Sequence, residues 1–133
     1  MVRTEWTAFL DDDDELKPHH LEVLLGHAEE AGVDVVWGWY DVIGGTDPLA
    51  MFEGRQWNDR ERHLFPMTAL VRTELAVATG GFTERHPTNE ISGEDFPFWC
   101  ACADLGGRFS HVLQRTWNWH HHTANTSGLP SRW

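Results

Sequence analysis

Residues 9–25, FLDDDDELKPHHLEVLL, set four consecutive aspartates, Asp11 to Asp14, between two apolar residues and the start of a helical pattern. Four adjacent carboxylates repel one another, so something must offset their charge. One offset is a solvated acidic turn in which Asp14 or Glu15 rests at the positive N-terminal end of the next helix. The other is a divalent cation shared by two or three of them, and hard carboxylate oxygens suit Mg2+ or Mn2+. In an extended or turn-like segment Asp11 and Asp13 project to the same side, whereas Asp12 points away. Spacing alone leaves both readings open and names Asp11 and Asp13 as the pair for a metal.

Two further clusters carry usable chemistry. Glu94 and Asp95 stand together near the start of a later helical stretch, and His120, His121 and His122 follow one another further on. The carboxylate pair suits a general base, and equally a pair of first-turn acids that stabilise a helix through its dipole. Neutral imidazole ligates metals, although a histidine run of this kind is also an ordinary surface segment. Trp117 and Trp119 precede it. An indole stacks on a sugar ring or a base, yet large aromatics in a small domain more often fill its core.

The elements that must position these groups are readable from periodicity. Glu5 to Leu10 has the aromatic and apolar content of a short strand, which places the aspartates in a loop at its C-terminal end. From Pro18, Leu21, Leu24, Leu25, Ala28 and Ala31 recur at three and four, and Gly32 is a stop, giving an amphipathic helix of roughly fourteen residues. Val33 to Ile43 is β-branched and aromatic and ends at the turn residues Gly44 to Pro48. Residues 44–66 show no sustained period and read as a long irregular loop, a kind that is often functional. Met67 to Arg72 reads as a strand and Thr73 to Gly81 as a short helix ending at glycine. Ser92, three before Asp95, begins a capping-box-like helix start, and that helix runs to about Asp104 before Gly106-Gly107. Arg108 to Leu113 reads as a final short strand, with no clear period from Gln114 to Trp133.

Composition bounds what such a chain does. At 133 residues, 41% hydrophobic and with 8 tryptophans, it reads as one folded domain, long enough for a single core. Its net charge of -11, from 21 acidic and 10 basic residues, opposes direct binding of nucleic acid phosphates. No run approaches the ~20 apolar residues of a membrane span, and the first residues do not resemble a signal peptide, so the expectation is a soluble, cytoplasmic chain. Cys100 and Cys102, two apart on a helix, point in different directions and suit packing rather than a disulfide or a metal pair.

The segment TAFLDDDDELKPHHLEVLL resembles the D-x-D segment of family 2 glycosyltransferases of the GT-A fold. There a strand delivers aspartates to a metal-bound nucleotide diphosphate, and a proline opens the next helix. TALVRTELAVATGGFTE followed by GEDFPFWCACADLGGRF resembles that family's acceptor-side half, and WNWHHHTANTSG its closing aromatic-x-x-His-x-x-Asn-x-Ser stretch. The three motifs stand in the family's order and cover nearly the whole chain. The resemblance implies an α/β fold, a small mixed sheet with packed helices forming the metal-binding and acceptor-side portion of a truncated GT-A domain. It implies sugar transfer from a nucleotide-sugar donor to a hydroxyl acceptor (sugar, lipid or protein), dependent on Mn2+ or Mg2+ and inverting by family default.

Carried over by position, Asp11 and Asp13 match the D-x-D pair that engages metal and nucleotide sugar, with Asp14 an adjacent alternative and Asp12 within the same donor-binding run. Asp95 matches the general base that takes the acceptor's proton, and Glu94 supports it. His122, three before Asn125 and five before Ser127, aligns best with the family histidine, with His120 next; either would ligate the metal or face the diphosphate. Trp119 is the indole assigned to the nucleotide sugar. The family's strand-helix-strand that grips base and ribose has no counterpart here, so a complementing partner chain or a homo-oligomer is expected. The alternative is a non-catalytic domain that binds metal or carbohydrate, or an interaction module.

Overall fold

The computed structural model describes residues 4–57, 68–82 and 95–122. In chain order its elements are β1 (Trp6–Ala8), β2 (Glu15–Leu16), α1 (His20–Ala31), β3 (Val35–Ile43), β4 (Leu70–Arg72), α2 (Thr73–Ala78), α3 (Asp95–Asp104) and β5 (Phe109–His120). A single 3-10 turn, Ala50–Phe52, stands in the loop after β3. The strands form one mixed sheet in the order β1-β4-β3-β5-β2. β4 is antiparallel to both β1 and β3, β5 is parallel to β3, and β2 is antiparallel to β5. This is the small mixed sheet with packed helices that the sequence implies.

Alternation along β3 divides the core between two faces. Val35 and Trp37 meet Phe98, Trp99 and Cys102 of α3 on one side. Val36 meets Leu24 and Ala28 of α1 on the other, both fully buried; burying a leucine side chain of this kind stabilises the fold by about 1.5–3 kcal/mol. The spacing of Leu24 and Ala28 is what makes α1 lie on the sheet, and Gly32, at φ 65, ends it in a left-handed cap. A third cluster of Trp39, Tyr40, Leu49, Trp117 and Trp119 fills the far end of the β3–β5 pair. Cys102 is buried, its thiol pushed up to about 11 by that burial, as a packing residue should be.

The sequence reading departs from the structure in two places. The last strand is not short: β5 runs from Phe109 to His120, through the stretch in which no period is visible. The reason is that Thr116 and Trp117 are adjacent and both buried, and β3 slips register against β5 between Trp37 and Tyr40, so alternation fails where the pairing bulges. β2, two residues long, is absent from the sequence reading because so short a strand leaves no pattern. Ser92 and Met67 lie outside the described residues, so the capping-box start and the beginning of that strand do too. Among the described residues no helix is long and apolar enough to cross a membrane.

Candidate functional site

β1 ends at Ala8, and the chain turns through the aspartates, where the Asp14 N–H donates to the Asp11 carbonyl at 3.2 Å. β2 then pairs with the far end of β5, Glu15 opposite Asn118 and Leu16 opposite Trp117. That register brings the acidic turn against the last residues of β5. The His120 backbone N–H donates to Asp14 Oδ1 at 2.9 Å, and His122 Nε2 lies 2.8 Å from Asp13 Oδ2. Carboxylate oxygens of Asp11, Asp13 and Asp14 all fall within 4.8 Å of one another.

The three carboxylates are unequal. Burial pushes the Asp14 carboxyl up to about 6, the charges of Asp13 and Asp11 push the same way, and the His120 N–H opposes them. Asp13 and His122 are accessible, their side chains 40% and 43% exposed. Asp12 is exposed and lies outside the close-set triad. Beside the turn, Lys17 pairs with Asp41, and Arg115 bridges Asp41 and Glu53 at 2.9 Å to each, which holds β2, β3 and β5 together.

The donor set fits a hard divalent ion. In an octahedral site with bonds of about 2.1 Å, neighbouring ligand oxygens lie about 3 Å apart and opposite ones about 4 Å. A triad within 4.8 Å is close to that spacing, and a cation offsets the carboxylate repulsion that adds to burial in raising Asp14. His122 lies at the rim through Asp13, and His120 adjoins Asp14 through its backbone.

Asp95 is the first residue of α3. Phe9, two residues before Asp11, packs edge-on against Phe98 at 5.8 Å and Trp99 at 6.0 Å. Two aromatic contacts therefore tie the root of the acidic turn to α3, and Asp95 lies three residues, about 4.5 Å along the axis, before Phe98. Glu94 lies outside the described residues. Trp119 does not face solvent: it is 4% exposed and packs edge-on against Tyr40 at 4.9 Å. Its ring belongs to the third core cluster, which corrects the expectation that it stacks on a ligand.

Sequence reasoning missed the part played by His121. Its N–H donates to the Ile43 carbonyl at 2.8 Å, its ring meets Trp119 edge-on at 4.4 Å, and its Nδ1 lies 2.6 Å from where a Cβ on Gly45 would stand. Burial lowers its pKa. The adjacent Gly44-Gly45 pair is the signal that points to it, since two glycines at a strand end allow another chain segment to approach closely.

Comparisons with known proteins bear on the family and the fold. The model of the family described as Glycosyl transferase family 2 matches residues 1–83. No curated protein sequence matches the chain. Among solved structures, S. aureus TarS 1–349 in complex with UDP-GlcNAc is similar at TM-score 0.72 and 19% identity, over 93% of this chain and 37% of that one. S. aureus TarS gives a TM-score of 0.72 at 18% identity over 90% of this chain and 22% of that one. At such identities the likeness is one of fold, and the chain spans about 37% of the shorter TarS chain.

Proposed function

The chain belongs to glycosyl transferase family 2, and from that membership we propose that it takes part in metal-assisted transfer of a sugar from a nucleotide-sugar donor to a hydroxyl acceptor, with inversion at the anomeric carbon. The observation that carries this reading is the triad of Asp11, Asp13 and Asp14 at the end of β1, with His122 on Asp13. Asp11, Asp13 and Asp14 would hold Mn2+ or Mg2+, with His122 and then His120 the nearest imidazoles. A bound ion there supplies positive charge to a departing nucleoside diphosphate.

The chain's own residues have separable tasks. Asp11 and Asp13 orient the donor. Asp95 accepts the acceptor's hydroxyl proton while that oxygen forms its bond to the anomeric carbon and the bond from that carbon to the diphosphate oxygen breaks. Glu94 supports Asp95. Asp12, outside the triad, contributes charge to the donor side only. A nucleoside diphosphate sugar such as that in the TarS complex is the donor class this site suits.

The experiment is substitution of Asp95 in an assembly that transfers sugar. A base contributes about 10²- to 10⁴-fold to rate, whereas a residue that only holds the acceptor changes KM. Asp95→Asn keeps the shape and removes the basic oxygen; turnover falls at least about a hundredfold with donor affinity nearly unchanged. Glu94→Gln costs less. Intact turnover in Asp95→Asn, with loss in Glu94→Gln, transfers the role to Glu94; no effect of either removes this helix from the chemistry.

A further inference from the structure

His111 fastens the loop after β3 to β5, beside the ion pair of Arg115 with Glu53. His111, 5% exposed, lies between the rings of Trp37, stacked at 5.2 Å, and Trp39, edge-on at 5.6 Å. The Gly54 N–H donates to His111 Nε2 at 3.0 Å, and His111 Nδ1 lies 3.0 Å from the Trp37 carbonyl. These partners fix the tautomer. A backbone N–H only donates and a carbonyl only accepts, so Nε2 carries the lone pair and Nδ1 the proton. Gln56 doubles the grip, its Oε1 accepting from the His111 N–H at 2.8 Å and its Nε2 donating to the His111 carbonyl at 3.2 Å. Gly54 aims its N–H at the ring from φ +85, a backbone conformation that glycine adopts without strain.

The fastened segment reaches the acceptor side of the site. Three residues after Gly54, Trp57 stacks on Phe109 at 4.8 Å with an interplanar angle of 19°, and it meets Phe96 at 6.1 Å. Phe96 is the residue after Asp95. The chain of contacts thus runs from His111 through residues 54–57 to the first turn of α3.

We propose that His111 is a positioning residue, a clamp whose neutral Nε2 holds residues 54–57 so that Trp57 braces the first turn of α3, and that protonation of the ring releases this segment. A proton on Nε2 faces the Gly54 N–H, donor against donor, so the bond must break before the ring is charged. The charged and titratable groups around the ring are Glu53 on the loop, which favours the imidazolium, and His27 on α1, which opposes it; Arg115 of β5 occupies Glu53. Trp37, Trp39 and Trp57 carry no charge. Burial dominates and lowers the His111 pKa from 6.5. The open segment therefore binds a proton that the closed one refuses, so closure is complete above about 6.5 and weakens as pH falls below it. That the brace matters to Asp95 rests on the transfer reading; the clamp does not.

The test needs no substrate. In the full chain, nitrogen NMR of the His111 ring and amide hydrogen exchange at Gly54 are followed from pH 7.5 to 5, with the Gly54 amide of His111→Gln as reference. The clamp gives an Nδ1-protonated ring and a Gly54 amide whose protection falls with pH, by up to about tenfold per pH unit, until the closed ring itself titrates. His111→Gln places an amide oxygen where Nε2 accepts and takes up no proton, so its Gly54 protection stays flat over the same range. An Nε2-protonated ring at pH 7.5 overturns the proposal, as does wild-type Gly54 protection that runs parallel to that of His111→Gln at every pH. Because these readouts are independent of sugar transfer, failure of the clamp and failure of the transferase reading are seen separately.

Discussion

The four aspartates differ in consequence because the chain gives each a different setting. Asp11, Asp13 and Asp14 bring carboxylate oxygens within 4.8 Å of one another, and Asp14 is the partly buried member, whereas Asp12 stands outside the triad. A ligand bound only by the folded state at a hundred times its Kd stabilises that state by about 2.7 kcal/mol. For a chain of this size that is on the order of 10 °C in Tm. Asp11→Asn combined with Asp13→Asn abolishes the rise in Tm produced by Mn2+, while Asp12→Asn keeps most of it; thermal scans with and without the metal read both. A rise that survives the double substitution places the ion elsewhere. The acidic run was legible in the sequence because its charges are adjacent. Asp14's link to His120 was not, since its partner is a backbone N–H from a strand more than a hundred residues away in the chain. Trp119 misled for the opposite reason: an indole beside a histidine run looks like a ligand platform until the packing of Tyr40 covers it.

The pairing of β3 with β5 decides where the histidines arrive. Gly38 lies at the bulge, where a Cβ would stand 2.5 Å from Thr116 Oγ1 and 2.9 Å from the Gln114 carbonyl oxygen. Gly38→Ala therefore destabilises the fold by about 1–3 kcal/mol, the usual cost of overpacking, as denaturant unfolding will measure. At the other end of the pair, Gly45→Ala pushes a Cβ into His121 and shifts the end of β5. Its expected effect is a severalfold loss of Mn2+ affinity with a smaller loss of stability than Gly38→Ala, and unchanged affinity would separate His121 from the site. α1 was legible because twelve residues repeat an apolar spacing several times over and end at a glycine. β2 and the second half of β5 were not, because a two-residue strand has no period and a bulged strand breaks the one it has.

Among the described residues two imidazoles are buried, and burial disfavours their charged forms. His20 is fully buried with Nδ1 2.8 Å from Thr116 Oγ1, and burial lowers its pKa, as it does that of His111. The unfolded chain binds protons at both sites below pH 6.5 and the folded chain resists them, so this stability is present above 6.5 and is lost as pH falls. Asp14, raised to about 6, works in the opposite direction: its contribution is present below the ordinary carboxylate range and is lost as pH rises through 6. It is a single group, less buried than the two histidines. The Tm of the metal-free Asp14→Asn chain, in which the opposing carboxyl is removed, accordingly falls on acidification from pH 7 to 5, and a flat profile there would mean that the two imidazoles do not resist protonation in the folded chain. The central claim, that the acidic turn is a metal-dependent donor site, is tested most directly by calorimetric titration of uridine and guanosine diphosphates into the purified chain with and without Mn2+. Binding that requires Mn2+, and that vanishes when Asp11 and Asp13 are both asparagine, is the result expected. Equal binding without metal, or binding indifferent to the two substitutions, contradicts the claim.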